Sequence, residues 1–227
     1  MEAHSMNKIP LKIYFAGDLF NSKDLGGNVM LAKAIAEVSD NRYLVMLPQN
    51  GECEIKERTA QSIRDADFDL LFHCDVIVAN FDGTDLDSGT VVEFCFAKMI
   101  DMPAVLLRTD FRNSGDATLP DTDPWNLMCS HYPRTEVLHL NAMKLYHECK
   151  SGTGTSEALL SLYYRNIAEK AVAALDRMTA LPGWLKKEEV LLQYKMAIKS
   201  VGGTLGDTLK GEILQKIVED KCTAGIY

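Results

Sequence analysis

The 227-residue sequence has no run of about 18 apolar residues, so nothing in it reads as a membrane-spanning helix. It has no excess of positive charge. Lys and Arg number 24 against 32 Asp and Glu, a formal net charge of −8 that argues against a surface built to coat nucleic acid. With 7 Pro, 15 Gly and 47 % hydrophobic residues, it lacks the bias of fibrous or disordered chains. The six cysteines, at positions 53, 74, 95, 129, 149 and 222, contain no Cys-x-x-Cys pair. They read as free thiols of a cytoplasmic protein rather than zinc ligands or a disulfide framework. The histidines at 4, 73, 131, 139 and 147 share no short-range spacing, and neither metal nor cofactor is expected. The N-terminus lacks a basic segment followed by an apolar core. Met1 to Met6 therefore reads as an artificial leader ahead of a natural start at Met6, not as a signal peptide.

What is present alternates. Continuous apolar runs, Leu11-Lys-Ile-Tyr-Phe-Ala-Gly17, Tyr43-Leu-Val-Met-Leu47, Asp75-Val-Ile-Val-Ala79, Pro103-Ala-Val-Leu-Leu107 and Thr135-Glu-Val-Leu-His-Leu140, predict five strands. Between them, Leu31, Ala34, Ile35 and Val38 recur at helical spacing. Residues 54–73 predict a helix broken near Asp65–Asp67, and 89–100 another, while 109–134 is a loop. Strands buried on both faces and alternating with helices indicate an α/β fold, a flavodoxin-like doubly wound five-stranded parallel sheet. Ligands in such sheets sit beyond the carboxyl ends of the strands, here the loops 14–20, 48–50, 80–90 and 109–126. The sheet domain is assigned to residues 7–150. A C-terminal helical extension takes 151–227, for packing on the sheet or on another subunit. It carries one stripe at Leu160, Tyr163, Ile167, Ala171, Leu175 and Met178 and a second at Val190, Leu191, Tyr194, Ala197, Ile198 and Val201. Gly202-Gly203 ends the second stripe, and a third helix is expected around 205–219.

The densest chemical signal is Asp82-Gly-Thr-Asp-Leu-Asp-Ser-Gly-Thr-Val-Val-Glu93, directly after the third strand. It fails the ligand spacing of a calcium loop, and its four acids oppose a phosphate. Two readings stand. Thr90-Val-Val-Glu93 has the form of a capping box, with Thr at the N-cap and Glu three residues on. Alternatively Glu93, in the first turn of a helix, is held ionised by the helix dipole and serves as a carboxylate nucleophile at a sugar carbon. A second acid would then protonate the leaving group, with Asp67 and Asp87 as candidates and Tyr14 as the group orienting the carboxylate.

Taken together, Lys12-Ile-Tyr-Phe-Ala-Gly17, Asp67 eight residues before Asp75, Asp87-Ser-Gly-Thr-Val-Val-Glu93 and Asn126-Leu-Met128 resemble the nucleoside 2-deoxyribosyltransferases. The resemblance spans roughly residues 11–140 and makes that domain a nucleoside-binding catalytic one. It implies that Glu93 attacks C1′ of a 2′-deoxynucleoside, releases the base and holds the sugar as an ester until a second base reclaims it with retention. It implies that Asp87 and Asp67 handle the base, that Tyr14 orients Glu93, and that Gln49 contacts the base. Asn126 would hold the sugar 5′-hydroxyl of a neighbouring subunit, making the protein a homo-oligomer. Phe20 and Gly89 would bind substrate, and Tyr227 would match the terminal tyrosine that some members place at the site. The partners implied are 2′-deoxynucleosides and free nucleobases, with neither nucleic acid nor membrane, in nucleotide salvage. Cys95 and Phe96 depart from the family, in which many members carry a small glycine after the glutamate.

Two rivals remain open. The same carboxylates could hydrolyse the N-glycosidic bond of a 2′-deoxynucleoside or its 5′-monophosphate, although Asp18 in the first loop opposes a phosphate. The fold could also serve as a non-catalytic nucleotide-binding module.

Overall fold

A computed structural model describes residues 9–51, 55–112 and 122–227. Met1 to Met6, expected to be a leader, Cys53 and the centre of the long loop lie outside the described residues. Five parallel strands form one sheet: β1 (Leu11–Ala16), β2 (Tyr43–Met46), β3 (Val76–Asn80), β4 (Ala104–Arg108) and β5 (Thr135–His139), in the order β2-β1-β3-β4-β5. This is the flavodoxin-like order, with its reversal at β1 and β3. In register, Ile13 pairs with Val76 and Ile77 with Ala104.

Because strand side chains alternate, one sequence feeds two cores. Tyr14, Ala16, Ile77, Ala79 and Leu106 face α3 (Ala60–His73) and α4 (Ser88–Met99) through Phe68, Leu71, Phe72, Phe94 and Ala97. Ile13, Phe15, Val76, Val78, Val105 and Leu107 face α1 (Ser22–Val38) and α6 (Ser156–Ala180). Each large side chain so buried contributes about 1.5–3 kcal/mol.

The first C-terminal stripe packs on the sheet itself: Ile167, Ala171 and Leu175 of α6 lie in the second core beside Leu31 and Ile35 of α1. The second stripe, Val190, Tyr194, Ala197 and Ile198 of α7 (Lys187–Val201), joins the first core over α3 and α4. Among the described residues, the remaining α-helices are α2 (Pro48–Gly51), α5 (Ala142–Lys150), α8 (Leu205–Thr208) and α9 (Gly211–Thr223).

Three local expectations change. The helix before β3 starts only at Ala60, with Thr59 capping Ser62, and runs unbroken through Asp65–Asp67. It stays whole because the Asp65 side chain accepts its bonds from Thr204 on another element instead of from the local backbone. The single helix expected after Gly203 is two, α8 and α9, separated at Leu209 and Lys210. α5 is an element beyond those expected, a mostly polar helix with Leu145 and Cys149 as its buried residues. Among the described residues, no helix is long and apolar enough to cross a membrane.

The amino edge of the sheet holds a buried ionic clamp. Asp101 is fully buried before β4; its Oδ2 accepts from the amides of Trp184 (2.7 Å) and Leu185 (3.1 Å) and meets Arg134 Nη1 at 3.3 Å. Arg134 also donates to the carbonyls of Asp101 (2.8 Å) and Ile226 (2.9 Å), which ties the C-terminus to the sheet. Removing one member strands the other charge out of water, a loss of about 3–5 kcal/mol. Arg134→Met should therefore lower urea-unfolding stability by about that amount. Arg177→Met, at the exposed pair with Glu136, should leave the midpoint nearly unchanged.

Candidate active site at the carboxyl edge

Two elements carry the central pair. β1 turns Tyr14 into the core beneath α3 and α4, where it is fully buried. The loop after β3 ends at Asp87, whose Oδ2 accepts from the backbone amide (2.7 Å) and the hydroxyl (2.9 Å) of Thr90. Asp87 is thus the N-cap of α4, not Thr90, and the expected capping box does not form. A Cβ at Gly89 would lie 3.1 Å from the same Oδ2, so a glycine there leaves room for the cap. With the helix starting at Ser88, Glu93 falls in the second turn, and its Oε1 accepts from the Tyr14 hydroxyl at 2.6 Å.

The electrostatics follow from this placement. Burial pushes the Glu93 carboxyl up from 4.5 to about 7; the Tyr14 hydrogen bond pulls it down, while the charges of Asp67 and Asp87 push it up again. The sequence expectation that the helix dipole holds this group firmly ionised is corrected. The end of the helix is too distant in the second turn, and desolvation wins. Tyr14 is held well above its ordinary value by burial and then by Glu93 and Asp67, which keeps it a hydrogen-bond donor. Asp18, in the loop after β1, is raised by desolvation and by Asp87, Asp24 and Asp82.

Tyr14, Glu93, Asp67 and Asp87 are therefore brought together. Phe20 lies in the loop after β1 with 76 % of its surface exposed. Gln49 sits on α2 after β2, its Nε2 donating to the Leu25 carbonyl and its Oε1 accepting from Asn28, each at 3.3 Å. Asn126 caps a turn of 3₁₀ helix (Leu127–Cys129) in the β4–β5 connection, accepting from the Met128 amide at 3.0 Å.

Tyr227 is not brought to the cluster. Its hydroxyl donates to the Ile100 carbonyl at 2.5 Å and lies 3.3 Å from the Tyr194 hydroxyl, at the amino edge of the sheet. α6 to α9 carry the chain end there, away from the edge that Glu93 serves.

Two structural supports escaped the sequence reading. Asn28 is buried and donates to the Asp18 carbonyl (3.0 Å) as well as to Gln49. Its signal was available: a polar residue on the same helix face as Leu31 and Ile35. Asp82 accepts from the Thr109 amide and hydroxyl (2.5 and 2.7 Å) and the Asp110 amide (2.7 Å), locking the loops after β3 and β4 together. Only a long-range contact reveals that role. Among the described residues, no group of three or more His, Cys, Asp and Glu side chains is placed to hold a metal ion.

The raised Glu93 carboxyl has a consequence for stability. Between 4.5 and about 7 the folded chain binds more protons at this group than the unfolded chain does, so stability falls as pH rises through that window. Glu93→Gln removes the titration while keeping an acceptor for Tyr14. Its stability advantage in urea should be near zero at low pH and approach about 3 kcal/mol at pH 8. A difference independent of pH would refute the desolvation of Glu93.

Residues 13–143, more than half of the chain, match the family model for nucleoside 2-deoxyribosyltransferase. No curated protein matches the chain. Among solved structures, it is similar to a conserved protein from Enterococcus faecalis V583, with 26 % identity over 70 % of this chain and 99 % of that one, at a TM-score of 0.43. It is also similar to a 2-deoxyribosyltransferase from Bacillus psychrosaccharolyticus, with 18 % identity, 46 % and 77 % of the two chains and a TM-score of 0.39. For a 2-desoxiribosyltransferase from Leishmania mexicana the values are 22 %, 56 %, 90 % and 0.44. On the family match, the chain belongs to the nucleoside 2-deoxyribosyltransferase family.

Proposed function

We propose that this protein exchanges the base of a 2′-deoxynucleoside by way of a glycosyl ester on Glu93. The observation that carries the reading is the 2.6 Å hydrogen bond from Tyr14 to Glu93, in a carboxyl flanked by the charges of Asp67 and Asp87. The bond occupies one face of one oxygen and fixes the rotamer, so the second oxygen is held in a defined direction for attack.

In the first half-reaction a Glu93 oxygen bonds to C1′ as the C1′–N bond breaks. The departing base keeps the bonding pair and takes a proton from Asp87 or Asp67, whichever of the two is protonated in the complex with substrate. The oxocarbenium-like transition state gains from the nearby carboxylate charge. In the second half-reaction an incoming base gives its proton back to the same acid, attacks C1′ from the vacated face and releases Glu93. Two inversions give net retention. Gln49 contacts the base, Phe20 and Gly89 line the substrate, and Asn126 reaches the sugar of a neighbouring protomer in a homo-oligomer.

Deoxyinosine or deoxyadenosine incubated with a different free base should give a new deoxynucleoside by chromatography. Free sugar and base alone would favour a hydrolase, and no turnover a binding module. A 2-fluoro-2-deoxyribosyl donor should leave a covalent mass on the peptide that contains Glu93, and Glu93→Ala should lose roughly 10³-fold or more in rate.

The pH profile supplies a separate check. Glu93 attacks as the carboxylate, so kcat/KM should rise with pH through about 7. Tyr14→Phe deletes the bond that lowers this value. It should move the acid limb to higher pH and reduce the rate at pH 7 by roughly 10- to 100-fold. An acid limb unmoved in Tyr14→Phe would count against Glu93 as the titrating group.

A further inference from the structure

α3 carries two acids on opposite sides. Asp65 and Asp67 are two residues apart, about 200° around a helix axis. The charge of Asp67 acts on Tyr14 and Glu93. Asp65 points the other way, toward the turn between α7 and α8, and is only 4 % exposed.

Its Oδ2 accepts from the Thr204 amide at 2.7 Å and from the Thr204 hydroxyl at 2.9 Å. Arg64 Nη1 lies 3.1 Å from its Oδ1, and Arg64 Nη2 donates to the Val201 carbonyl, the last residue of α7. Burial pushes the Asp65 carboxyl up, but the Thr204 bonds and Arg64 outweigh it and leave it below the usual value.

The turn is shaped for this contact. Gly202 and Gly203 have φ of +72° and +63°, and a Cβ on Gly203 would lie 2.3 Å from Asp65 Oδ1. No other residue type permits that approach without displacing the carboxylate. The family match ends at residue 143, so Gly203 and Thr204 form a turn between two helices outside it.

We propose that Asp65 is a positioning residue: by docking on Gly203 and Thr204 it fixes the rotation of α3 and so sets Asp67 beside Glu93. On this view the C-terminal helices complete the active site without touching substrate. The catalytic consequence rests on the proposed function; the placement of Asp67 does not.

Both can be read in one set of variants. Thr204→Val removes the hydroxyl bond and keeps the amide bond, so the fold is retained. Thr204→Ser keeps both bonds and serves as the rescue. Gly203→Ala displaces the carboxylate from the other direction. The groups facing Glu93 are Tyr14 from β1, Asp67 from α3 and Asp87 at the start of α4. Asp67→Asn gives the reference for loss of the α3 charge, which should lower the Glu93 titration midpoint measured by carboxyl ¹³C NMR.

Thr204→Val and Gly203→Ala should shift that midpoint downward, toward Asp67→Asn, with Thr204→Ser at the wild-type value. In the base-exchange assay kcat should fall about tenfold in Thr204→Val, with little change in KM. A folded Thr204→Val or Gly203→Ala with wild-type Glu93 titration would overturn the proposal, even if its unfolding midpoint were lower. If the wild-type protein turns over no nucleoside, the proposed function fails while the Glu93 titration still decides the positioning role.

Discussion

Tyr14 is fully buried and Glu93 partly so, and each polar group is tolerable there because the other pairs with it. A phenol hydroxyl buried without an acceptor, or a carboxyl buried without a donor, costs several times what a typical hydrogen bond contributes. The 2.6 Å contact between them therefore constrains the fold at long range. It requires β1 to lie beside β3, so that the helix following β3 passes over the fourth residue of β1. The strand order β2-β1-β3-β4-β5 supplies that adjacency. It also places the pair at the reversal of strand order, the position at which open α/β sheets generally take their ligands.

The same burial that fixes Glu93 opposes its charge. Tyr14 favours the ionised form, whereas desolvation and the two flanking aspartates favour the protonated one, and the balance falls at about 7. A carboxyl so placed is more basic and less solvated than a surface glutamate. Both properties favour attack on carbon. They also make the ionised site a region of stored unfavourable energy, held together by the apolar packing of α3 and α4 around it.

Sequence pattern gave access to whatever is periodic or local. The five apolar runs, the α1 stripe and both C-terminal stripes could be read because burial imposes a repeat on the chain. The grouping of Tyr14, Asp67, Asp87 and Glu93 became legible through the family resemblance rather than through spacing alone. Failures occurred where a side chain answers to a distant partner. Thr90 and Asp87 both qualify as caps, and the choice depends on where the loop from β3 lets the helix begin; moving it by three residues takes Glu93 from the first turn to the second. A break is expected near Asp65–Asp67, and the partner that satisfies Asp65 within an unbroken helix, Thr204, lies 139 residues away. Tyr227, at the chain end, was placed by likeness to other terminal tyrosines. Its position is set instead by α7 and α9 and by the Arg134–Asp101 clamp, which holds the preceding residue's carbonyl.

The two layers of helices over the first core then have distinct roles. α3 and α4 present acids inward to Tyr14, while α7 to α9 hold those helices from outside, through Tyr194 against Phe72, Gln193 on the Met99 carbonyl and Thr204 on Asp65. An α/β sheet with one helix layer leaves the outer faces of α3 and α4 to solvent or to another chain. In this protein the same chain covers them, and its contacts fall on Asp65 in the second turn of α3 and on Met99 at the end of α4. Helices restrained at separate points along their length resist rotation as well as translation. Rotation of α3 would carry Asp67 away from Glu93 and would also turn Phe68, Leu71 and Phe72 out of the first core.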